Sequence, residues 1–298
     1  ALGMAFFPNP GALLFFRGLT GVAAAACVTF TVLFSSYFDT EEASKSLGYI
    51  NSFNALGQMI AMLLGGILAK KLGPRSPFLL AATVGSLGFI LGFGITEKSG
   101  KQEPLELSSL LAVGREKGLL LASGLAILIQ ILTFATVYGF TPVAAKKLGA
   151  DEFQRGLLTT LSTMPAIFAS AMSGSVFAKK FGERKTLIAG FATISLSCAV
   201  IPMIHSLKFL YLSEIIGGFA RGVVFPLLMG LSIKTVDEER RATAMGFFQA
   251  IYGLGMFLGP VLVGFISDIV GLSWGFWIIS ILGIVGSVLS GIFVDNTF

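Results

Sequence analysis

Runs of about twenty or more mostly apolar residues alternate along this chain with short polar breaks. A membrane-crossing helix needs about 20 such residues. Stretches of that kind fall at 11–38, 47–69, 76–96, 118–140, 155–178, 185–205, 208–233, 243–267 and 273–294. Lipid offers backbone groups no hydrogen-bond partner, so each stretch is predicted to be a helix. The expected fold is an all-α membrane protein with nine transmembrane helices. Most breaks are short, which makes neighbouring spans antiparallel. The exception is 97–117, EKSGKQEPLELSSLLAVGREK, which is polar, mixed in charge and interrupted by Pro104. It reads as a cytoplasmic linker between residues 1–96, with three spans, and residues 118–298, with six.

Composition agrees with the pattern. The chain is 54% hydrophobic and 12% charged, where a soluble domain carries about 25% charged residues. There is too little polar surface to cover such a core in water, so the solvent is lipid. The net charge of +5 gathers at the edges of the apolar stretches, a pattern that sets membrane orientation and calls for no nucleic acid. With the 97–117 linker placed in the cytoplasm, twelve Lys and Arg fall on that side and seven on the other; Arg17 and Arg221 lie inside spans. Cys27 and Cys198 both fall inside apolar stretches and read as buried free thiols. The opening ALGMAFFPNP carries no basic flank or signal peptide and reads as a start in mid-protein.

The chain also repeats itself. Displaced by 198 residues, 39–95 matches 237–293 without a gap, pairing Asp39 with Asp237 and Gly48, Gly57, Gly66, Gly73, Gly85 and Gly88 with Gly246, Gly255, Gly264, Gly271, Gly283 and Gly286. Shared leucines mean little between apolar helices, but glycines in phase mark repeated close helix contacts. Just upstream, RGLTG at 17–21 and RGVVF at 221–225 give each copy an arginine-glycine pair. Spans one to three thus repeat as spans seven to nine. Spans four to six have no earlier counterpart, so a chain built of two six-helix copies would have three further helices before Ala1.

These residues resemble the major facilitator superfamily over essentially the whole chain. GSVFAKKFGERKTL, 174–187, is similar to the family's charged motif between the second and third helices of a bundle; it keeps the Phe-Gly turn with Arg184 and Lys185, and has Lys179 where an aspartate is usual. RGLTG resembles the arginine motif of the family's fourth helix, and DEERRATAMGFFQAIYGLGMFLGPVLVG the start of its eleventh. GQMIAMLLGG, 57–66, resembles the glycine-proline motif associated with antiporters, with Ala61-Met62 in place of the Gly-Pro pair. The resemblance implies half of one six-helix bundle followed by a complete second one, the absent helices being the family's first three. It also implies alternating access, with the basic cytoplasmic residues Lys179, Lys180, Arg184, Lys185, Arg240 and Arg241 gripping the neighbouring bundle in one state.

Charges inside a span cost at least ~2.5–3.5 kcal/mol each on insertion scales, so they are kept where they pair or meet water. Arg17, Glu214 and Arg221 qualify. Glu214 and Arg221 are seven residues apart, roughly 10 Å along a helix axis, and no direct salt bridge between them is expected. Snorkelling to a membrane face accounts equally well for Arg17 and Glu214. Glu214 is the intramembrane carboxylate that could carry a proton. Of the uncharged polar residues, Asn54, Gln130, Tyr138 and Gln249 are the candidate lining of a substrate pathway, against the plainer reading as interhelical hydrogen bonds; the resemblance sets Gln130 beside the central cavity. His205 sits in a short outer loop with no companions for a metal site, and no nucleotide fingerprint or nucleophile-base set is present. The expected function is secondary transport of a small solute at the cell membrane, with protons as a candidate coupling ion, no cofactor, no enzymatic activity and a monomeric full-length state. The alternative is a truncated, non-transporting membrane protein with an assembly or receptor-like role.

Overall fold

The computed structural model describes residues 1–7, 9–35, 37, 43–95, 113–237 and 240–297. The described residues are helical with short connections and no strand. After a short helix Leu2–Phe6, the long helices are α1 Pro10–Ser35, α2 Ala43–Leu72, α3 Ser76–Gly92, α4 Lys117–Ala135, α5 Glu152–Met172, α6 Glu183–Val200, α7 Leu207–Lys234, α8 Arg241–Val270 and α9 Leu272–Thr297. Each predicted span coincides with one of them. A π-helical turn, Thr136–Phe140, carries α4 on to Lys147, and another, Ser173–Ala178, carries α5 on to Phe181. Among the described residues six helical stretches are long and apolar enough to cross a membrane: Lys117–Lys147, Glu152–Phe181, Glu183–Met203, Leu207–Lys234, Thr243–Val270 and Leu272–Val294; Pro10–Ala23 and Ser76–Gly92 are shorter apolar helices. Most of the 97–117 linker lies outside the described residues.

The chain divides into two compact units, residues 1–103 with 151–157, and residues 104–150 with 158–298. In the second unit α4 lies against α7, α8 and α9, while α6 packs on α7 and α9. Phe191, Phe248 and Phe276 are fully buried there. Apolar burial alone does not hold such helices together, because lipid tails are as apolar as leucine; close packing of small residues does. At the α4–α8 crossing, a Cβ on Gly255 would stand 2.4 Å from the Ile127 carbonyl oxygen, and one on Gly259 2.6 Å from that of Ile131. The GxxxG pair of α8 is therefore a packing device, as its spacing predicts. The outer surfaces carry large apolar side chains in numbers no aqueous surface tolerates: Phe257 and Phe265 on α8 are each 68% exposed.

In the first unit α2 packs on α1 and α3. Its Gly66 meets residues 152–156, where a Cβ would stand 3.0 Å from the Glu152 carbonyl oxygen. Asp151 heads that segment with a reciprocal cap: its carboxylate accepts from the Gln154 N–H at 2.8 Å, and the Gln154 side chain accepts from the Asp151 N–H at 2.9 Å. Lys70 adds a 2.6 Å ion pair to the same carboxylate, and this cation, more than the cap, holds the Asp151 carboxyl below its ordinary value.

The internal repeat has a structural counterpart. Helices α2 and α8 have 30 residues each and begin and end 198 positions apart. Both stop at a glycine of positive φ, +88° at Gly73 and +95° at Gly271, a backbone conformation that a side chain would strain.

Candidate functional site

The second unit buries two opposite charges in its interior, and both come from α7. Arg221 is 7% exposed and Glu214 3%. Arg221 Nη2 donates to Glu214 Oε2 at 2.9 Å. This corrects the expectation that two helical turns would keep the pair apart. Side chains on a helix lean toward its N-terminus, so the long arginine runs back along α7 toward the carboxylate. Glycines make that path possible: at Gly217 a Cβ would stand 3.2 Å from Arg221 Nη1. Backbone spacing gives the separation of the Cα atoms, but the reach of an arginine over a bare stretch of helix closes it.

Neighbouring helices complete the network. Arg221 Nη2 also donates to the Ser162 hydroxyl of α5. That helix comes close because Gly218 and Gly222 of α7 face the Ser162 and Ala166 carbonyls, with notional Cβ atoms at 1.9 and 2.3 Å from the two oxygens. On the α6 side, Ser213 donates to the Ser197 carbonyl at 3.1 Å, and Cys198, a buried free thiol, lies within the electrostatic reach of both charges. Cys27 has its side chain outside the described set. Tyr138, in the π-helical turn after α4, faces Thr163 and the field of Arg221, and is 40% exposed. The arrangement holds a guanidinium between a carboxylate of its own helix and a hydroxyl of α5, so a movement of α5 against α7 would break the Ser162 contact and leave the Glu214 contact within α7.

The other sequence candidates are not drawn into this cluster. Gln130 is buried on α4, its Cβ 3.1 Å from where one on Gly255 would stand, so it belongs to the α4–α8 crossing. Gln249 on α8 is exposed, as are Arg17 on α1 and Asn54 on α2 in the first unit. Among the basic residues, Lys179, Lys180, Arg184, Lys185, Arg240 and Arg241 are all exposed. Lys180 lies 5.5 Å from the centre of the Phe181 ring, and Arg241 donates to the Val236 carbonyl at 3.3 Å. Lys234 adds a surface pair with Glu183 at 2.8 Å. Ser162, Ser197 and Ser213 carry no signal in the sequence, because hydroxyls are scattered through many apolar spans.

Comparison with known proteins supplies the family. A model of the Major Facilitator Superfamily matches residues 1–138 and, again, 123–297. Quinolone resistance protein NorA of Staphylococcus aureus is 28% identical over 170 residues, 57% of this chain and 43% of NorA. An uncharacterized MFS-type transporter of Methanocaldococcus jannaschii is 24% identical over 263 residues, 84% of this chain and 66% of that protein. The matched region thus spans less than half the length of NorA and about two thirds of the archaeal relative.

Proposed function

Because this chain belongs to the major facilitator superfamily, a family of transporters and not of enzymes, we propose that it serves secondary transport of a small solute by alternating access, with the Arg221–Glu214–Ser162 network as its ion-responsive element. The observation that carries this reading is the buried charge pair. A carboxylate and a guanidinium inside a membrane bundle are expensive to place there and mark function when they persist. Loss of the Ser162 contact as α5 shifts would free Arg221 to turn from Glu214 to water or solute, and a proton bound at Glu214 in its place is the coupling step of this reading.

In this reading all nine helices α1–α9 cross the membrane, 1–96 and 118–298 belong to the two bundles joined by 97–117, and the protein is a monomer in the cell membrane. Tyr138, Gln130, Gln249, Asn54 and Arg17 are candidate lining of the path, and the six exposed cations are candidate cytoplasmic grips. The name of NorA favours an aromatic, drug-like solute. The test is proton-driven movement of a fluorescent quinolone in vesicles holding the protein. Glu214→Gln is expected to abolish gradient-driven accumulation while leaving solute exchange without a gradient. Wild-type accumulation by Glu214→Gln would overturn the coupling role, and failure of the unaltered protein to move any solute would overturn transport.

A further inference from the structure

Away from the buried pair, two cavities of the second unit adjoin each other at one membrane edge. The first, of about 650 Å³, is walled by Glu183, Arg184, Lys185 and Lys234 beside Phe181. Three cations face one carboxylate, and Glu183 already pairs with Lys234, so the wall carries net positive charge. The second, of about 580 Å³, lies between α5, α6 and α7 and is almost wholly apolar, with Phe177, Phe181, Phe219 and Ile216 among its lining. Phe181 and Lys185 belong to both cavities. The aromatic wall is ordered: Phe177 meets Phe219 edge-to-face at 5.7 Å and stacks with Phe181 at 6.4 Å.

We propose that the paired cavities bind one anionic phospholipid, its phosphate at Lys185 and Arg184 and one acyl chain between α5, α6 and α7. Charge and length both fit. A strongly basic chamber opening onto an apolar one suits a molecule with an anionic head and a long tail. Along α6 the apolar cavity runs from Lys185 to Thr193, eight residues or about 12 Å of helix. One leaflet of hydrocarbon is about 15 Å thick. A lipid chain entering at the charged edge therefore stays within its own leaflet. The site lies on the face of α7 that carries Ile215, Ile216 and Phe219, and α7 also holds Glu214 and Arg221. A lipid wedged between α5 and α7 would thus bias the contact of Ser162 with Arg221.

A tryptophan reporter tests the proposal. Phe219→Trp, with Trp274 and Trp277 changed to Phe, places the fluorophore in the cavity. Phosphatidylglycerol with brominated chains is expected to quench it at about five-fold lower mole fraction than brominated phosphatidylcholine, the factor one lysine supplies at an anionic lipid surface. Lys185→Gln is expected to remove most of that preference, and Ala189→Phe, which fills the apolar chamber and leaves the cations, to remove the quenching. Equal quenching by the two lipids, or a preference that survives Lys185→Gln combined with Arg184→Gln, would overturn the site. Displacement by excess inorganic phosphate would do so too, by assigning the basic chamber to a free anion. Native mass spectrometry of the unaltered chain gives an independent reading: phosphatidylglycerol should survive delipidation more often than phosphatidylcholine, and Lys185→Gln should lose that difference.

Discussion

Breaking the Arg221–Glu214 pair tests whether the two charges act as one unit. Glu214→Gln keeps the shape and removes the charge. At 2.9 Å the attraction is about 6 kcal/mol at an effective dielectric of about 20. Desolvation of both ions cancels much of this, yet removing one partner of a buried pair still costs ~3–5 kcal/mol, because the other is left uncompensated. A glutamine keeps an acceptor for Arg221, so the lower end, ~3 kcal/mol, is expected. For a unit of this size that corresponds to a fall in Tm of roughly 6–12 °C. Arg221→Met should cost a similar amount, for the opposite charge. The double variant removes both charges together and should cost about 3–4 kcal/mol, well short of the ~6 kcal/mol sum of the single losses, a coupling energy of about 2–3 kcal/mol. Cys198, 1% exposed beside the pair, supplies the assay: in a Cys27→Ala background, a thiol-reactive dye reports the opening of this bundle on heating. Losses that simply add in the double variant would refute the reasoning, since they would mean each charge is stabilised by something other than its partner.

Two further outcomes follow from the same packing. Gly218→Ala puts a Cβ 1.9 Å from a backbone oxygen of α5 and should cost about 1–3 kcal/mol, seen as a lower Tm, while Gly230→Ala on the same helix, where a Cβ would meet nothing within 4 Å among the described residues, should cost nothing. The Asp151 carboxyl is held below 3.8 by Lys70, so its contribution is whole above that pH and is lost as the pH falls further, through the folded value. Protection of the 151–157 amides relative to their intrinsic exchange rates should fall over that range, and Lys70→Met should flatten the dependence.

The apolar pattern carried the helices well because about twenty residues without a break allow little else in lipid. Each of α1–α9 sits on a predicted stretch. What the pattern lacked was local: the π-helical turns at Thr136–Phe140 and Ser173–Ala178 depend on contacts between helices and leave no period in the sequence. The site was legible in part. Glu214 and Arg221 stand out as charges in apolar helices. Their direct ion pair is not legible in the spacing, because axial distance says nothing of side-chain reach or of the bare surface at Gly217. Ser162 could not have been picked out, since its role rests on the approach of α5 to α7.

The repeat allows one last comparison, between equivalent residues with different neighbours. Gly283 of α9 meets α6, and a Cβ there would stand 2.7 Å from Ser195 Cβ and 3.0 Å from its Cα. Its equivalent, Gly85 of α3, has nothing within 4 Å among the described residues. The same contrast holds for Gly286, where a Cβ would stand 2.6 Å from the Phe191 ring, and Gly88, where one would meet nothing within 4 Å among the described residues. One residue type at one repeat position therefore does two different things, and the difference lies wholly in what packs against it. Gly283→Ala is expected to cost about 1–3 kcal/mol, because the Ser195 backbone cannot retreat from a buried crossing. Gly85→Ala should be neutral or slightly favourable, since alanine is the better helix former by up to about 1 kcal/mol. Thermal unfolding of the two variants side by side separates the cases. A loss at Gly85 equal to that at Gly283 would mean that the face of α3 is packed in the folded protein, and would refute the view that, at these α3 and α9 positions, the second copy alone uses its glycines as helix contacts among the described residues.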